Sequence, residues 1–267
     1  MFLLNLTLDA PAANLALDEA LLETAELVWA GQEPNADSIG DVQRMGQTDF
    51  LSKSSECQHR EILRLWEPAQ RFVVLGRSSL IHQEVNLEAC RQLGVPVLRR
   101  CSGGATIVTG PGCLMYAVVL SYAEKPELRK LDKAHQFVLG QVKLAIQRLG
   151  IDVSIQGTSD LTLQNRKFSG NSLRCRRHGF LYHGTLLSDF DLSLVAKCLG
   201  SPLRQPTYRA SRSHDDFLTR LPVSTKELSH ALIEQWKAEI SGSEWPREMT
   251  EQLVTEKYQT REWTEQR

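Results

Sequence analysis

No stretch of this sequence is apolar for long enough to cross a bilayer, and no basic residue precedes the short apolar run in its opening, MFLLNLTLDAPAANLALDEALLE. The first absence argues against a transmembrane protein and the second against a secretory signal. Neither sign of charge is in excess: 31 Lys and Arg face 32 Asp and Glu, a formal net charge of -1. Nothing in that balance attracts a polyanion such as nucleic acid, so any phosphate site must be local. The six cysteines, Cys57, Cys90, Cys101, Cys113, Cys175 and Cys198, form no Cys-x-x-Cys pair and have no zinc-type spacing to histidine. That pattern predicts no structural metal and free thiols in a reducing cytoplasm. Repeats and low-complexity tracts are missing too. What is present, 267 residues of which 42% are hydrophobic, suffices for one large domain, or a main domain with a small appendage, around a substantial core.

Local patterns predict an order of elements. Phe2–Leu8 alternates as a strand, and Asp9 with Pro11 opens a helix in which Leu15 and Leu22, and Ala16 and Ala20, recur at helical spacing. Residues Gly31 to Gln58 are polar and aperiodic and are expected to form a surface loop or insertion. Ile62–Trp66 and Arg71–Leu75 read as neighbouring strands separated by the Glu67-Pro68 turn. A short helix follows, then Leu87–Leu93 ending at Gly94, and a strand over Val95–Leu98. Thr106–Val108 and Leu114–Leu120 flank Thr109-Gly110-Pro111-Gly112 and predict a hairpin-like antiparallel pair. An amphipathic helix is expected over Asp132–Leu149, with Phe137, Leu144 and Ile146 among its apolar positions and Gly150 as terminator. Short strands follow at Val153–Ile155, Leu161–Leu163, Lys167–Ser169 and Leu181–Leu187. The segment 222–267 is expected to be helical, with a capping box at Ser224 and Glu227 and a helix opened by Pro246. Antiparallel-type strands with helices grouped around them make the class α+β.

Three stretches carry chemistry. Arg99-Arg100-Cys101-Ser102-Gly103-Gly104-Ala105 puts two guanidinium groups and a glycine pair at the end of an apolar strand. Such a loop can wrap an anion, with arginine supplying planar donors and glycine allowing close backbone approach; taken alone it is equally a surface turn with solvated arginines. In Gly157–Asp160 and Asn165–Arg174, Lys167 sits within a strand and can neutralise negative charge developing on an acyl or phosphoryl oxygen, although a solvated strand lysine is the commoner case. In Tyr182-His183-Gly184-Thr185-Leu186-Leu187, a glycine inside a strand marks close approach of a ligand or backbone.

In order and separation these three segments resemble the signature regions of the lipoate-protein ligase A and octanoyltransferase family. Asn14–Leu22 is similar to the family's first helix, Val74-Leu75-Gly76-Arg77 to its glycine-arginine strand end, with Val85-Asn86-Leu87 following, and Lys257-Tyr258 with Glu262-Trp263 to a motif near the domain's end. The likeness spans nearly the whole chain apart from the insertion. It implies a fold similar to the biotin protein ligase catalytic domain, itself related to class II aminoacyl-tRNA synthetases, with a mixed, mostly antiparallel sheet and surrounding helices. By the same resemblance Lys167 is the essential lysine. Arg77, Arg100, Ser102, Gly103, Gly104, Ala105, Asn171, His183, Gly184 and Thr185 fall on the acyl and adenylate side, Arg174 on the corner after the lysine, and Asp160 on the nucleotide or metal side. The activity implied is attachment of lipoate to a lysine of an apo lipoyl-domain protein, of the 2-oxoacid dehydrogenase E2 or glycine cleavage H type, through a lipoyl-adenylate made with ATP and Mg²⁺.

Some positions depart from the family pattern. Cys101, Ala105, Ser159 and the pair Thr109-Gly110 stand where ligases often carry other residues. The chain is also expected to lack the C-terminal accessory domain of some ligases, which suggests either a partner subunit for adenylation or a reaction without ATP. The competing reading is thus an octanoyl or lipoyl transferase that takes its acyl group from a carrier protein or lipoyl domain through a cysteine thioester. Cys101 and Cys175 are its candidate nucleophiles, because Arg100, Arg174 and Arg176 would favour a thiolate. A third reading is a non-catalytic protein that binds lipoyl domains.

Overall fold

Two long strands, β6 (Cys113–Ser121) and β10 (Gly179–Leu187), are buried along their whole length, as strands covered on both faces must be. In the computed structural model, which describes residues 1–31, 61–200, 205–240 and 244–266, these two pair antiparallel from Gly179 opposite Ser121 to Leu187 opposite Cys113. Around them the strands β1 (Phe2–Asn5), β2 (Ile62–Trp66), β7 (Ser154–Gln156), β8 (Asp160–Leu163), β9 (Arg166–Cys175) and β11 (Glu239–Ile240) complete a sheet of order β11-β1-β2-β6-β10-β9-β8-β7. Only β1 is parallel to its neighbours, β2 and β11; the other contacts in this sheet are antiparallel. A second sheet of order β4-β3-β5 joins β3 (Phe72–Leu75), β4 (Val97–Arg99) and β5 (Ile107–Thr109). The architecture is the expected mixed, mostly antiparallel α+β arrangement.

The helices, in chain order, are α1 (Pro11–Trp29), α2 (Ile81–Glu84), α3 (Leu87–Gln92), α4 (Leu131–Arg148), α5 (Ser193–Cys198), α6 (His214–Phe217), α7 (Thr225–Trp236), α8 (Arg247–Leu253) and α9 (Arg261–Thr264). Helix α1 packs on β6 and β10 and is backed by α8, while α4 and α7 pack against each other and α7 also meets β2 and β6. Pro11 occupies the first turn of α1, where its missing N–H costs nothing. The predicted capping box of α7 is formed in both directions between Ser224 and Glu227, an arrangement worth on the order of 1 kcal/mol. No helix among the described residues is long and apolar enough to cross a membrane.

Several expectations are corrected. β2 and β3 do not pair: β2 lies between β1 and β6, and β3 between β4 and β5, so the Glu67-Pro68 turn carries the chain from one sheet to the other. For the same reason β5 and β6 form no hairpin; the connection between them crosses sheets and is held by the Gly112 N–H donating to the Glu67 carboxylate at 2.7 Å. Strand β9 runs on through Gly170 to Cys175, well beyond the predicted Lys167–Ser169. Of the apolar positions expected for α4, Ile146 is buried, with Ala134, Val138, Leu139, Val142 and Ala145, but Leu144 is 48% exposed. The segment 222–267 is not wholly helical, since β11 adds a parallel edge strand to β1. The expected insertion, apart from Gly31, lies outside the described residues.

Candidate active site

The arginine-glycine loop gets its shape from its own cations. Arg99, fully buried, donates to the carbonyls of Gly76 (2.8 Å), Ser79 (2.9 Å) and Arg77 (3.2 Å) on one side, and to those of Trp263 (3.1 Å) and Thr264 (2.7 Å) on the other. Arg100 curls back onto the loop, donating to the Gly103 carbonyl at 2.5 Å, the Ala105 carbonyl at 3.0 Å, the Val74 carbonyl at 3.2 Å and the Ser102 hydroxyl at 3.1 Å. Burial pulls its guanidinium down to about 10, with Cys101 and Glu84 opposing. Gly104 has φ +86°, and its carbonyl passes so close to Gly76 that a Cβ there would lie 1.9 Å away. Both glycines are therefore steric requirements of the loop resting on the end of β3.

A buried polar chain runs from this loop into α1. The Ser102 hydroxyl meets His183 Nε2 at 2.5 Å, and His183 Nδ1 meets Asp18 Oδ2 at 3.0 Å. Arg64, in the middle of β2, donates to Asp18 Oδ1 at 2.5 Å and to the carbonyl and side-chain oxygens of Asn14 at 2.8 and 2.7 Å. Burial pushes the Asp18 carboxyl upward, but Arg64 and then His183 outweigh it and hold the group below the usual carboxylate range. With Asp18 ionised, His183 Nδ1 carries a proton and donates it to that carboxylate.

On the far wall, Lys167 Nζ lies 2.7 Å from Asp160 Oδ1, and the Tyr208 hydroxyl donates to the other Asp160 oxygen at 2.7 Å. Asn171 donates to the Ser159 carbonyl (2.8 Å) and the Ser169 hydroxyl (3.0 Å) and accepts from the Tyr116 hydroxyl at 2.5 Å. This contact explains Gly184 directly opposite: a Cβ there would stand 1.8 Å from Asn171 Oδ1 and 2.8 Å from the Tyr116 ring. Thr185 replaces ladder bonds just beyond, its hydroxyl accepting from the Gly170 N–H at 3.3 Å.

Between these walls is a cleft of about 420 Å³. Arg100, Gly104, Ala105, Asp160, Lys167, Asn171, His183, Gly184 and Thr185 all line it, so residues predicted from three separated segments share one cavity. Its apolar part is formed by side chains such as Val74, Val108, Met115, Leu187, Val195 and Leu199. The lining thus offers apolar surface that suits an alkyl chain together with charged groups that suit a polar head.

The model of a family described as the lipoyl protein ligase A/B catalytic domain matches residues 10–237. The chain belongs to that family. A putative lipoate-protein ligase A of Aeropyrum pernix is 27% identical over 237 residues, 88% of this chain and 74% of its own. A probable lipoate-protein ligase A of Mycoplasma genitalium is 30% identical over 167 residues, 62% of this chain. The chain spans 47% of that relative and 43% of the similarly described protein of Mycoplasma pneumoniae. Among solved structures, a bipartite lipoate protein ligase of Thermoplasma acidophilum, described with its E2 lipoyl domain, superposes with a TM-score of 0.74 at 20% identity, over 99% of this chain and 95% of its own. A putative ligase of the same organism with bound lipoic acid gives 0.70 at 21% identity over 100% and 99% of the two chains. A lipoate-protein ligase A bound with ATP gives 0.66 at 22% identity over 99% and 98%. These likenesses carry the fold.

Within this lipoyl protein ligase domain some predicted residues lie away from the cleft. Arg77 has an exposed side chain that does not line it; its N–H donates to the Ser102 carbonyl at 2.8 Å, so its visible part is to brace the loop. Ser102 and Gly103 lie beneath the lining, tied to His183 and Arg100. Arg174 is half-buried outside it, with Nε lacking a hydrogen-bond partner. Cys101 packs in the core beside Leu17 and Leu21, and burial, then Glu19, push its thiol up to about 12, the reverse of the expected activation. Cys175 is exposed at the end of β9 and does not line the cleft.

Other residues of the site were not picked out from the sequence: Asp18, Arg64, Tyr116, Tyr208 and Arg209. A cue existed for Arg64, a charge set centrally in the apolar strand Ile62–Trp66. Arg209 had one only in hindsight. It lines the cleft just before Ala210 (φ +50°) and Ser211 (φ +58°), two consecutive left-handed non-glycine residues, a conformation costing about 1–3 kcal/mol per residue and concentrated at functional sites.

Proposed function

We propose that this protein attaches lipoate, or the related octanoate, to a specific lysine of an apo lipoyl-domain protein of the E2 or glycine cleavage H type, using ATP. The observation that carries this reading is Lys167, held by Asp160 in a cleft that combines apolar side chains with Arg100, Gly104 and Ala105. Two half-reactions follow. A lipoate carboxylate oxygen attacks the α-phosphorus of ATP, forming the mixed anhydride and releasing pyrophosphate; the acceptor lysine amine then attacks the acyl carbonyl and expels AMP. In both steps negative charge grows on carbonyl or phosphoryl oxygens, and the Lys167 ammonium stabilises it from a position set before substrate arrives. Arg100 serves by fixing the loop, since its guanidinium donates to oxygens of the loop and of β3.

No group of three His, Cys, Asp or Glu side chains among the described residues gathers as a metal cage. That suits Mg²⁺ carried in on the triphosphate, with Asp160 as the carboxylate that would hold it and the ion neutralising phosphate charge. The cysteine-dependent transfer is disfavoured by the burial of Cys101 and the position of Cys175 outside the cleft. Incubation of the pure protein with lipoate, ATP and an apo lipoyl domain, set against octanoyl carrier protein without ATP, tests the proposal by acceptor mass. ATP-dependent lipoylation is expected; labelling only from the carrier protein would replace the ligase by the transferase. Adding a candidate accessory subunit to either arm tests whether adenylation needs one.

A further inference from the structure

Arg64 is fully buried in the middle of β2 and does not line the cleft, yet it is tied in series to two side chains that do, Asp18 and His183. The sheet register explains how. Arg64 stands opposite Ala117 of β6, and Ala117 opposite His183 of β10, so the arginine and the histidine share one row and one face. They are two strands apart, a gap of roughly 10 Å. Ala117 is the small residue between them, and Asp18 of α1 bridges them across it, one oxygen meeting Arg64 at 2.5 Å and the other His183 Nδ1 at 3.0 Å. Burial opposes the charge on that carboxylate, and Arg64 outweighs the penalty. Arg64 also donates to the carbonyl and side-chain oxygens of Asn14 and to the Leu6 carbonyl at 3.2 Å, so the same guanidinium fixes the start of the helix from which Asp18 projects.

The row continues into the arginine-glycine loop. Beside His183 stands Ser172 of β9, which donates to the Gly103 carbonyl at 2.8 Å, while His183 Nε2 meets the Ser102 hydroxyl at 2.5 Å. Ser102 is itself a junction of the loop, its carbonyl accepting from the Arg77 N–H at 2.8 Å and its hydroxyl from Arg100 Nε at 3.1 Å. The loop is thus fastened to the sheet at two adjacent points, and one of them depends on the orientation of an imidazole ring. A ring free to turn about its second side-chain torsion presents Nε2 in more than one direction; a carboxylate on Nδ1 selects one.

We propose that Arg64 and Asp18 are positioning residues of this cleft, acting through His183 on Ser102 to hold the arginine-glycine loop at a fixed distance from β9, the strand that carries both Ser172 and Lys167. Stability alone does not call for such a pair, because apolar residues of similar volume often match or exceed a buried ion pair in stability. What they cannot do is orient an imidazole, and the orientation is what reaches the loop.

The test removes both charges at once, Arg64→Met with Asp18→Leu, so that neither is stranded. This paired variant is compared with wild type, with Ser102→Ala and with the combination of all three, each checked for a cooperative thermal melt. Two readouts are taken on the full chain: amide hydrogen exchange over residues 102–105 against that over α4, and lipoylation of an apo lipoyl domain with lipoate and ATP, an assay that rests on the ligase reading above. Faster exchange is expected in the loop and not in α4, with transfer slowed by about 10- to 100-fold, the effect of a small misplacement caused from a distance. Ser102→Ala should add little to the paired variant, because the two act in one chain. Loop exchange at the wild-type rate overturns the proposal, and so does exchange that quickens equally in α4, the mark of a merely stabilising pair. Transfer within about threefold of wild type overturns it too, as does a slowing that multiplies with that of Ser102→Ala. If wild type lipoylates nothing, the ligase reading falls and the loop exchange alone decides the positioning role. Should the paired variant not fold, Arg64→Lys replaces it, since lysine keeps a cation beside Asp18 but lacks the fork that grips Asn14 as well; a smaller loosening of the loop is expected there, and none overturns the proposal.

Discussion

Replacing Lys167 with alanine separates a chemical role from a structural one. The ammonium stands 2.7 Å from Asp160, and the two side chains are 24% and 10% exposed, so the pair is neither open to solvent nor sealed from it. Exposed pairs contribute at most about 1 kcal/mol, whereas breaking a sealed one costs about 3–5 kcal/mol. Asp160 keeps the Tyr208 hydroxyl at 2.7 Å after the change, which limits the penalty of stranding its charge. A loss of about 1–2 kcal/mol is expected, a fall in Tm of roughly 2–8 °C for a chain of this size. The effect on chemistry should be far larger, because removing one preorganised donor to a developing oxyanion slows turnover by about 10²- to 10³-fold. The assay is the mass increase of an apo lipoyl domain with lipoate and ATP, run beside a thermal melt of the same preparation. A folded Lys167→Ala protein that lipoylates at a rate within about threefold of wild type, under 1 kcal/mol of barrier, would refute the role given to this ammonium.

Cys101→Ser should leave transfer unchanged, and iodoacetamide should alkylate exposed Cys175 in the native protein while sparing buried Cys101; peptide mapping reads both, and loss of transfer in Cys101→Ser would restore the thioester route. Asp18→Asn strands Arg64 in the core and should cost about 3–5 kcal/mol at neutral pH in denaturant titrations. Because the folded Asp18 pKa lies below the ordinary value of 3.8, its stabilisation is fully present above that pH and is lost as pH falls through the lowered value. The gap between variant and wild type should therefore close in acid, and a pH-independent gap would contradict this. Gly184→Ala forces Asn171 or Tyr116 aside and should cost about 1–3 kcal/mol by overpacking, raising the KM for lipoate more than it lowers Tm-derived stability; an unchanged KM would show that this corner does not shape the acyl site.

What was legible in the sequence was local. Helix α4 came within a residue of both predicted ends, and α1 and α7 began where they were expected to, because Pro11, Gly150 and the Ser224–Glu227 box act within a single turn. Strand existence was legible too, but pairing was not: whether Ile107–Thr109 joins Cys113–Ser121 or crosses to Phe72–Leu75 depends on which edges are already occupied, and that is a property of the whole sheet. Strand β9 was cut short because Gly170 to Arg174 lack the β-branched and aromatic residues that mark a strand. Of these, Gly170, Asn171 and Ser172 line the cleft, where a site's needs can override propensity. Lys167, Arg100 and His183, which the resemblance assigns to one site, line one cavity. The resemblance could not reveal Arg64 and Asp18 as partners, since they lie 46 residues apart and meet only when β2 is set against α1.

The buried arginines explain why the loop can be rigid without a bound ligand. Arg99 and Arg100 are adjacent in sequence but face opposite ways, one gripping the Gly76–Ser79 turn and the C-terminal helix α9, the other folding under Gly103 and Ala105. Trp263 completes the grip by donating Nε1–H to the Arg99 carbonyl at 2.8 Å, and Lys257 lies 4.1 Å from the centre of its ring while pairing with buried Glu19 of α1 at 2.7 Å. The family match ends at residue 237, yet these contacts from residues 257 to 264 hold both α1 and the loop from behind. A loop whose carbonyls are already committed to guanidinium groups cannot collapse into the cleft, and its remaining amide groups keep their orientation before substrate enters. In the reaction proposed above, whose barrier would fall mainly through charge placed in advance, that fixed backbone would do for the substrate's head group what the pairing with Asp160 would do for Lys167.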